Sequence, residues 1–386
     1  MKKLREESLY FKKYCIIVKM KRIKFKLFII FLIINFVLSA ISIGGLSKNI
    51  QVLEKKESST SKDFYFVQIT DTHLLYESFE KNGNSKGRFK CVLENVTSFK
   101  RKPAFIVITG DLCEWGGNGK TGALNYQTFV SCLYEKNNML YATSEYSIPV
   151  YTIPGNHDYM PESSLKNYHT YIDKNHIATN DKYAITYGSV SLFFMNSGHD
   201  YTSHPSDWKR TKGNGLYGDD IEWLENGLRG CQTEHKIVLM HHPAVNVRDK
   251  LGEMTSVIAR NREKFVELCE QYKVDLVLCG HTHTSRVFDA EENRYDNEYP
   301  IDCSKYPTLY VQSDDCKEGV HYRNISVIDD NIWLEENQKI NFFCKSHNRY
   351  KRNSNLMLNN FLEQGFFKTL YVFPELLKIR KQIVLT

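Results

Sequence analysis

The chain is missing three features that would have pointed quickly to a function. Its ten cysteines include no C-x-x-C pair, which excludes the common short-spaced zinc and redox motifs. It has no phosphate-binding P-loop. Asn118-Gly119-Lys120-Thr121 imitates the end of one, but the first glycine would fall at position 114, which is Glu114. It also lacks a basic surface beyond its start. Between Lys2 and Lys26 ten Lys or Arg stand against two Glu, so the formal charge of +6 leaves the rest close to neutral, at about −2. That excludes a basic nucleic-acid groove as the main feature. No basic, aromatic-rich second domain follows to suit a nuclease, and no internal repeat is present.

What remains is a chain of 386 residues with 42% hydrophobic and 25% charged content, enough for a large globular core. Leu27 to Leu46 is 20 residues long, almost wholly apolar and without charge, which fits a membrane span. The basic flank before it places residues 1–26 in the cytoplasm and everything after residue 46 outside. A cleaved signal peptide is the competing reading. Met20 would start a short basic region, and Ala40-Ile41-Ser42 supplies small residues for cleavage. Either way the expected location of the domain is extracytoplasmic, membrane-anchored or secreted. Gln51 to Lys62 is a polar linker. The expected organisation is 1–62 for this leader, 63–335 for a catalytic domain and 336–386 for a tail. Within the tail, 359–385 reads as a helix on the domain, with an interfacial membrane segment as the alternative.

From Asp63 the chain alternates strand-like and helix-like stretches. Phe64 to Ile69, Ala104 to Thr109 and Pro149 to Ile153 read as strands. So do Lys236 to Met240, Val274 to Cys279, Thr308 to Gln312 and Tyr322 to Ile328. Tyr183 to Tyr187 and Val190 to Met195 read as a hairpin about Gly188-Ser189. Arg88 to Arg101, Leu124 to Tyr134, Ile221 to Leu228 and Ala259 to Tyr272 carry helical spacing. The expected class is α/β with layered, mixed sheets.

Five polar clusters stand where strands end. Asp71-Thr72-His73 follows the first strand, and Gly110-Asp111 the second. Gly155-Asn156-His157-Asp158 follows the third. His241-His242-Pro243 and Gly280-His281-Thr282-His283 follow later strands. Residues i and i+2 of an extended chain face one side, so Asp71 and His73 can bind one ion. Strand ends are also where open α/β sheets bind ligands. Any one cluster would pass for a surface turn; five in series, all of metal-ligand residue types, would not.

This ordered set resembles the calcineurin-like metallophosphoesterase superfamily. Its pattern runs D-x-H, G-D, G-N-H-D or G-N-H-E, a later H, then G-H-x-H, and the resemblance covers roughly residues 64–328. It implies a mixed β-sandwich flanked by helices, with the site on loops at one edge. It implies that Asp71, His73 and His283 bind a first metal, that Asp111 bridges, and that Asn156, His241 and His281 complete a second. His242 is the alternative at the His-His pair; His241 is preferred because the family's ligand sits just after the strand. His157 is carried over as the catalytic histidine; Asp158 reads as a residue that orients it or its loop rather than one that binds metal. Purple acid phosphatases place a Tyr ligand three residues after the bridging Asp. Glu114 stands there in this chain, which argues against that subtype.

The expected activity is hydrolysis of a phosphomonoester or phosphodiester by hydroxide held between two divalent ions. Mixed His, Asp and Asn ligands suit Mn, Fe, Zn or Ni. The expected partners are a phosphate-ester substrate and, through residues 27–46, a membrane; no nucleic acid is expected. The alternative is a non-catalytic, membrane-tethered scaffold that retains the fold. Cys269 and Cys279 read as small core residues. Export would permit disulfides among the nine cysteines after Cys15.

Overall fold

The apolar runs become strands of two mixed sheets in the computed structural model, which describes residues 53–54, 63–76, 84–117, 119–135, 148–172, 181–201 and 212–342. The chain divides into two units after Ile340, and all of the sheets and helices below belong to the first. One sheet runs Ile301–Asp302, Asn331–Leu334, His321–Ile328, Phe64–Ile69, Ile106–Thr109, Val150–Ile153, with Gln338–Lys339 paired to His321–Ile328. The other runs Leu53–Glu54, Tyr183–Tyr187, Val190–Phe194, His235–Leu239, Leu276–Cys279, Leu309–Gln312, Arg286–Phe288. A small third sheet joins Ile258–Arg260, Lys212–Gly215 and Asp200–Tyr201.

Each large sheet has a parallel centre. Phe64–Ile69, Ile106–Thr109 and Val150–Ile153 run parallel in one. Val190–Phe194, His235–Leu239, Leu276–Cys279 and Leu309–Gln312 run parallel in the other. Parallel strands covered on both faces read as unbroken apolar runs, and Ile106–Thr109 and Leu276–Cys279 are buried throughout. Phe66, Phe105 and Val107 of the first sheet share one core with Leu192, Phe194, Val238 and Leu278 of the second. Phe66 stacks on Phe105 at 4.8 Å, and Tyr183 on Phe194 at 4.4 Å.

Helices complete the layers. Ser85–Ser98 buries Phe89, Val92, Leu93 and Val96, and Phe89 stacks on Phe129 of Lys120–Glu135 at 5.1 Å. The first of these begins three residues before the expected Arg88, because the Asn84 side chain accepts the Gly87 N–H at 2.7 Å and caps it. Gly218–Gly230 and Arg262–Gln271 turn Leu224, Leu228, Phe265 and Leu268 into the shared core. The last helix corrects the expected Ala259 start. Ile258–Arg260 is a strand beside Lys212–Gly215, and Asn261, at φ 56°, separates it from the helix.

The two sheets are tied together just below their parallel ends. Gln68, fully buried, donates to Thr109 Oγ1 at 3.0 Å and to the Cys279 carbonyl at 3.1 Å, and accepts from Ser313 at 2.8 Å. Such a buried amide has to find its partners, so it fixes how the ends of the two sheets meet. Cys269 and Cys279 are buried as expected, and the described cysteines are all free thiols. The segments 27–46 and 359–385 lie outside the described residues. Among the described residues no helix is long and apolar enough to cross a membrane.

Candidate metal centre

All five clusters leave the C-terminal ends of parallel strands, so the topology delivers them to one edge of the paired sheets. The turns are tight. Asp71, His73, Asp111, His281 and His283 all take positive φ, between 41° and 66°. Non-glycine residues adopt that region rarely and at a cost, most often at functional sites. Two glycines let the turns close on one another: a Cβ on Gly155 would fall on the Asp111 carboxylate, and one on Gly280 on the Thr70 hydroxyl and Asp71.

The structure brings Asp71, His73 and His283 together as one group. His73 Nε2 lies 3.2 Å from His283 Nε2, and 3.4 Å from Asp111 Oδ2. His283 Nε2 lies 3.3 Å from Asp71 Oδ1. Asp71 is fully buried; Thr70 donates to its Oδ2 at 2.6 Å, while Oδ1 has no hydrogen-bond partner. A buried, orphaned carboxylate oxygen is costly unless something positive meets it. Burial would raise the Asp71 carboxyl, but the facing His283 and His73 imidazoles, with His241 beyond, outweigh it and hold it well below the usual carboxylate range. Burial would lower His73, yet Asp111, Asp71 and Glu114 push it up to about 9.

The second group is richer in imidazole. His241 Nδ1–H donates to the Thr109 carbonyl at 2.8 Å, which turns Nε2 to Asn156 Oδ1 at 2.9 Å and Asp111 Oδ1 at 3.4 Å. His281 Nδ1 lies 3.1 Å from the same Asn156 oxygen. The Asn156 amide is oriented by Asp200, whose Oδ2 accepts from its Nδ2 at 2.8 Å. His241 is pushed up to about 10; burial opposes this, and the Asp111 carboxylate overcomes it. His281 and His242 are held well below the ordinary imidazole value by burial and by each other's neighbourhood of imidazoles. His242 also groups with His241 and His281, but its Nδ1 meets Ser197 at 2.9 Å and its Nε2 faces Asp200 at 3.5 Å.

Asp111 stands between the groups. Its Oδ2 faces His73 and its Oδ1 faces His241, each at 3.4 Å. Oδ1 also accepts the His157 N–H at 2.8 Å. The His157 side chain, 22% exposed, donates from Nδ1 to the Glu114 carbonyl at 3.0 Å and meets the His73 ring edge-on at 4.5 Å. Asp158 faces away from the metal-ligand side chains. It accepts from the Leu112, Cys113 and Gly155 N–H groups at 3.1, 3.1 and 2.9 Å and from Tyr126 at 2.6 Å. It therefore ties the second and third turns together. Burial, with Asp111 alongside, pushes its carboxyl up to about 6.

The donors fit a pair of divalent cations. Imidazole nitrogens and carboxylate oxygens gather in two groups that share Asp111, one of them around the unpartnered Asp71 Oδ1, the mixture that borderline ions take. Three residues of this surround carry no expected role: Asp200, Lys317, and Glu114 as a partner of His73. Asp200 had a signal, since Asn196-Ser197-Gly198-His199-Asp200 is a further polar cluster at the end of a parallel strand. His199 bonds the Asp200 carbonyl and His169 pairs with Asp181. Asn118 lies outside the described residues.

The family model of calcineurin-like phosphoesterases matches residues 64–285, more than half of the chain. The chain belongs to that family. It is a phosphoesterase, and metal-dependent phosphoester hydrolysis is the chemistry of its family. A probable glycerophosphodiester phosphodiesterase of Arcobacter nitrofigilis is 25% identical over 221 residues, 56% of this chain and 71% of the relative. A 3′,5′-cyclic adenosine monophosphate phosphodiesterase of Escherichia coli is 25% identical over 242 residues, 59% of this chain and 72% of the relative. Among solved structures, a purple acid phosphatase from yellow lupin seeds aligns with a TM-score of 0.50 at 16% identity, over 73% of this chain. The match spans 52% of the lupin protein, and at that identity the likeness concerns the fold.

Proposed function

We propose that this phosphoesterase hydrolyses phosphate esters, with diesters as the first class to test, at a centre for two divalent ions. One observation carries the reading: Asp111 turns one oxygen to each histidine group, and His157 stands beside it. Asp71, His73 and His283 would hold one ion and Asn156, His241 and His281 the other, with Asp111 available to both. Such ions, when bound, supply Lewis acidity that lowers the pKa of water and neutralises phosphoryl charge. The rest falls to the chain's own groups. Thr109 and Glu114 fix the tautomers of His241 and His73, so that each presents Nε2. The Glu114 carbonyl holds His157 by Nδ1, leaving Nε2 to hold a phosphoryl oxygen or protonate the leaving oxygen. The diester preference is supported by the two relatives named as phosphodiesterases.

The test is a hydrolysis screen over monoesters, linear and cyclic diesters, nucleotide pyrophosphates and phospholipid head groups, with metal content measured alongside. Turnover of at least one diester with two ions per chain is expected. Two bound ions without turnover of any ester would favour the scaffold reading. The proposal includes an extracytoplasmic domain, supported by the uncharged run 27–46 behind ten basic residues. Protease added to intact cells should reach an anchored domain, and the medium or periplasm should contain a cleaved one. Full-length protein in the cytosol would overturn it.

A further inference from the structure

We propose that Glu114, held by Lys317, is a positioning residue whose side chain serves the first metal position and whose backbone serves His157. The geometry separates the two duties. Glu114 Oε2 accepts from His73 Nδ1 at 2.5 Å, while the Glu114 carbonyl accepts from His157 Nδ1 at 3.0 Å. The same carboxylate oxygen is 3.7 Å from His157 Nδ1, outside hydrogen-bonding distance. Lys317 Nζ closes the arrangement from the opposite side, 3.0 Å from Oε2 and 3.3 Å from Oε1.

The chemistry follows from the imidazole. His73 is buried, and only one of its nitrogens faces the site. If the proton settled on Nε2, the ring could not ligate. A carboxylate at Nδ1 keeps the proton there and leaves the Nε2 lone pair toward Asp71 and Asp111. Lys317 keeps that carboxylate in place. Its loop is itself anchored: the Cys316 N–H donates to the Thr70 carbonyl at 3.1 Å, and the Gly319 N–H to Asp315 at 3.3 Å. Thus the turn after Ile106–Thr109 and the loop after Leu309–Gln312 support a ligand from the turn after Phe64–Ile69.

The inference rests on the metal assignment above, and the experiment separates the two. Metal-free wild type, Glu114→Gln, Glu114→Ala, Lys317→Ala and Lys317→Arg are titrated with Mn²⁺ alone by calorimetry, with bound metal confirmed by elemental analysis. Glu114→Ala should weaken one of the two ions by about 10–100-fold, the usual cost of losing a ligand's supporting partner. Glu114→Gln should lose less, since its amide oxygen still accepts from Nδ1. Lys317→Ala should lose a few-fold, with Lys317→Arg restoring it. At saturating metal, Glu114→Ala should lose less in kcat than in metal affinity, because the His157 contact is backbone, and Glu114→Gln and Lys317→Arg should recover part of both. Wild-type metal affinity in Glu114→Ala, with kcat reduced, would overturn the inference and assign the carboxylate to His157. If Glu114→Ala does not fold, unchanged affinity in both Glu114→Gln and Lys317→Ala overturns it equally. No metal binding by wild type would instead sink the two-ion reading.

Discussion

The half of the site built on Phe64–Ile69 joins two imidazoles to a carboxylate, whereas the half built on His235–Leu239 joins two imidazoles to an amide. Asp71 is a ligand candidate with an orphaned oxygen, and Glu114 stands behind His73. Across the site, Asn156 is neutral, and the carboxylate of Asp200 stands behind it rather than beside the histidines' shared focus. Counting Asp111 for both, the first position carries about two negative charges and the second about one. Attraction for a divalent ion scales with that charge, and both groups are buried enough for it to be weakly screened. The first position should therefore hold its ion more tightly, and the second should be the one that exchanges.

The largest effect should come from the residue that makes the comparison possible. Asp111→Ala removes the carboxylate common to both halves and leaves two buried imidazole groups facing each other. Nearly all activity and most bound metal should be lost, measured by turnover and elemental analysis. Normal metal content would break the shared assignment. His157→Ala should cost about 10²–10⁴-fold in turnover, the range for a positioned proton-transfer group, with both ions retained. The loss should shrink for esters with good leaving groups; a drop in bound metal would make His157 a ligand instead.

The comparison itself is sharpened by single-ligand changes on either side. His73→Ala should weaken the tighter ion and His281→Ala the looser one, each with little effect on its neighbour. Stepwise chelation of the wild type should show two phases, and His281→Ala should remove the faster phase. Loss of the slower phase instead would reverse the ranking of the halves.

Much of this centre was legible in the sequence because each cluster sits where an apolar run stops. Asp71 and His73, two residues apart, do reach one group, through positive-φ turns rather than an extended chain, whereas His281 and His283, also two apart, divide between the groups. The supports were harder to read. Lys317 and Glu114 lie 203 residues apart, and no local pattern records such a pairing. Gln68 looks like a polar residue in a strand until its partners Thr109, Cys279 and Ser313 are seen to come from both sheets. Ile258–Arg260 was hidden because its partner strand is Lys212–Gly215, in which Gly213 and Gly215 supply no apolar alternation. Local pattern thus marks the ligands, and long-range pairing decides what orients them.

The smallest expected effect is the pH dependence of the metal-free protein, and it differs between the halves. In the first, His73 is raised to about 9 and His283 is also raised. In the second, His241 is raised to about 10, while His242 and His281 are lowered. A raised imidazole stabilises the fold fully below its ordinary value of about 6.5 and loses that contribution as pH climbs through the folded value. Asp71 and Asp111 are lowered, so their contribution is present above the ordinary carboxylate value and fades as pH falls below it. The metal-free protein should accordingly weaken toward pH 9 to 10 as the raised imidazoles deprotonate and again in acid below about pH 4, with the lowered His242 and His281 adding to the acid loss from about pH 6.5 downward. Bound metal requires the proton to leave the ligating nitrogen, so affinity should rise with pH over that same upper range. At about pH 7 the ion entering the first position should release more protons than the ion entering the second, because both of its histidines start raised. Calorimetric titration in buffers of different ionisation enthalpy reads the protons directly. Equal release at both steps would mean that the charge difference between the halves does not govern how they fill.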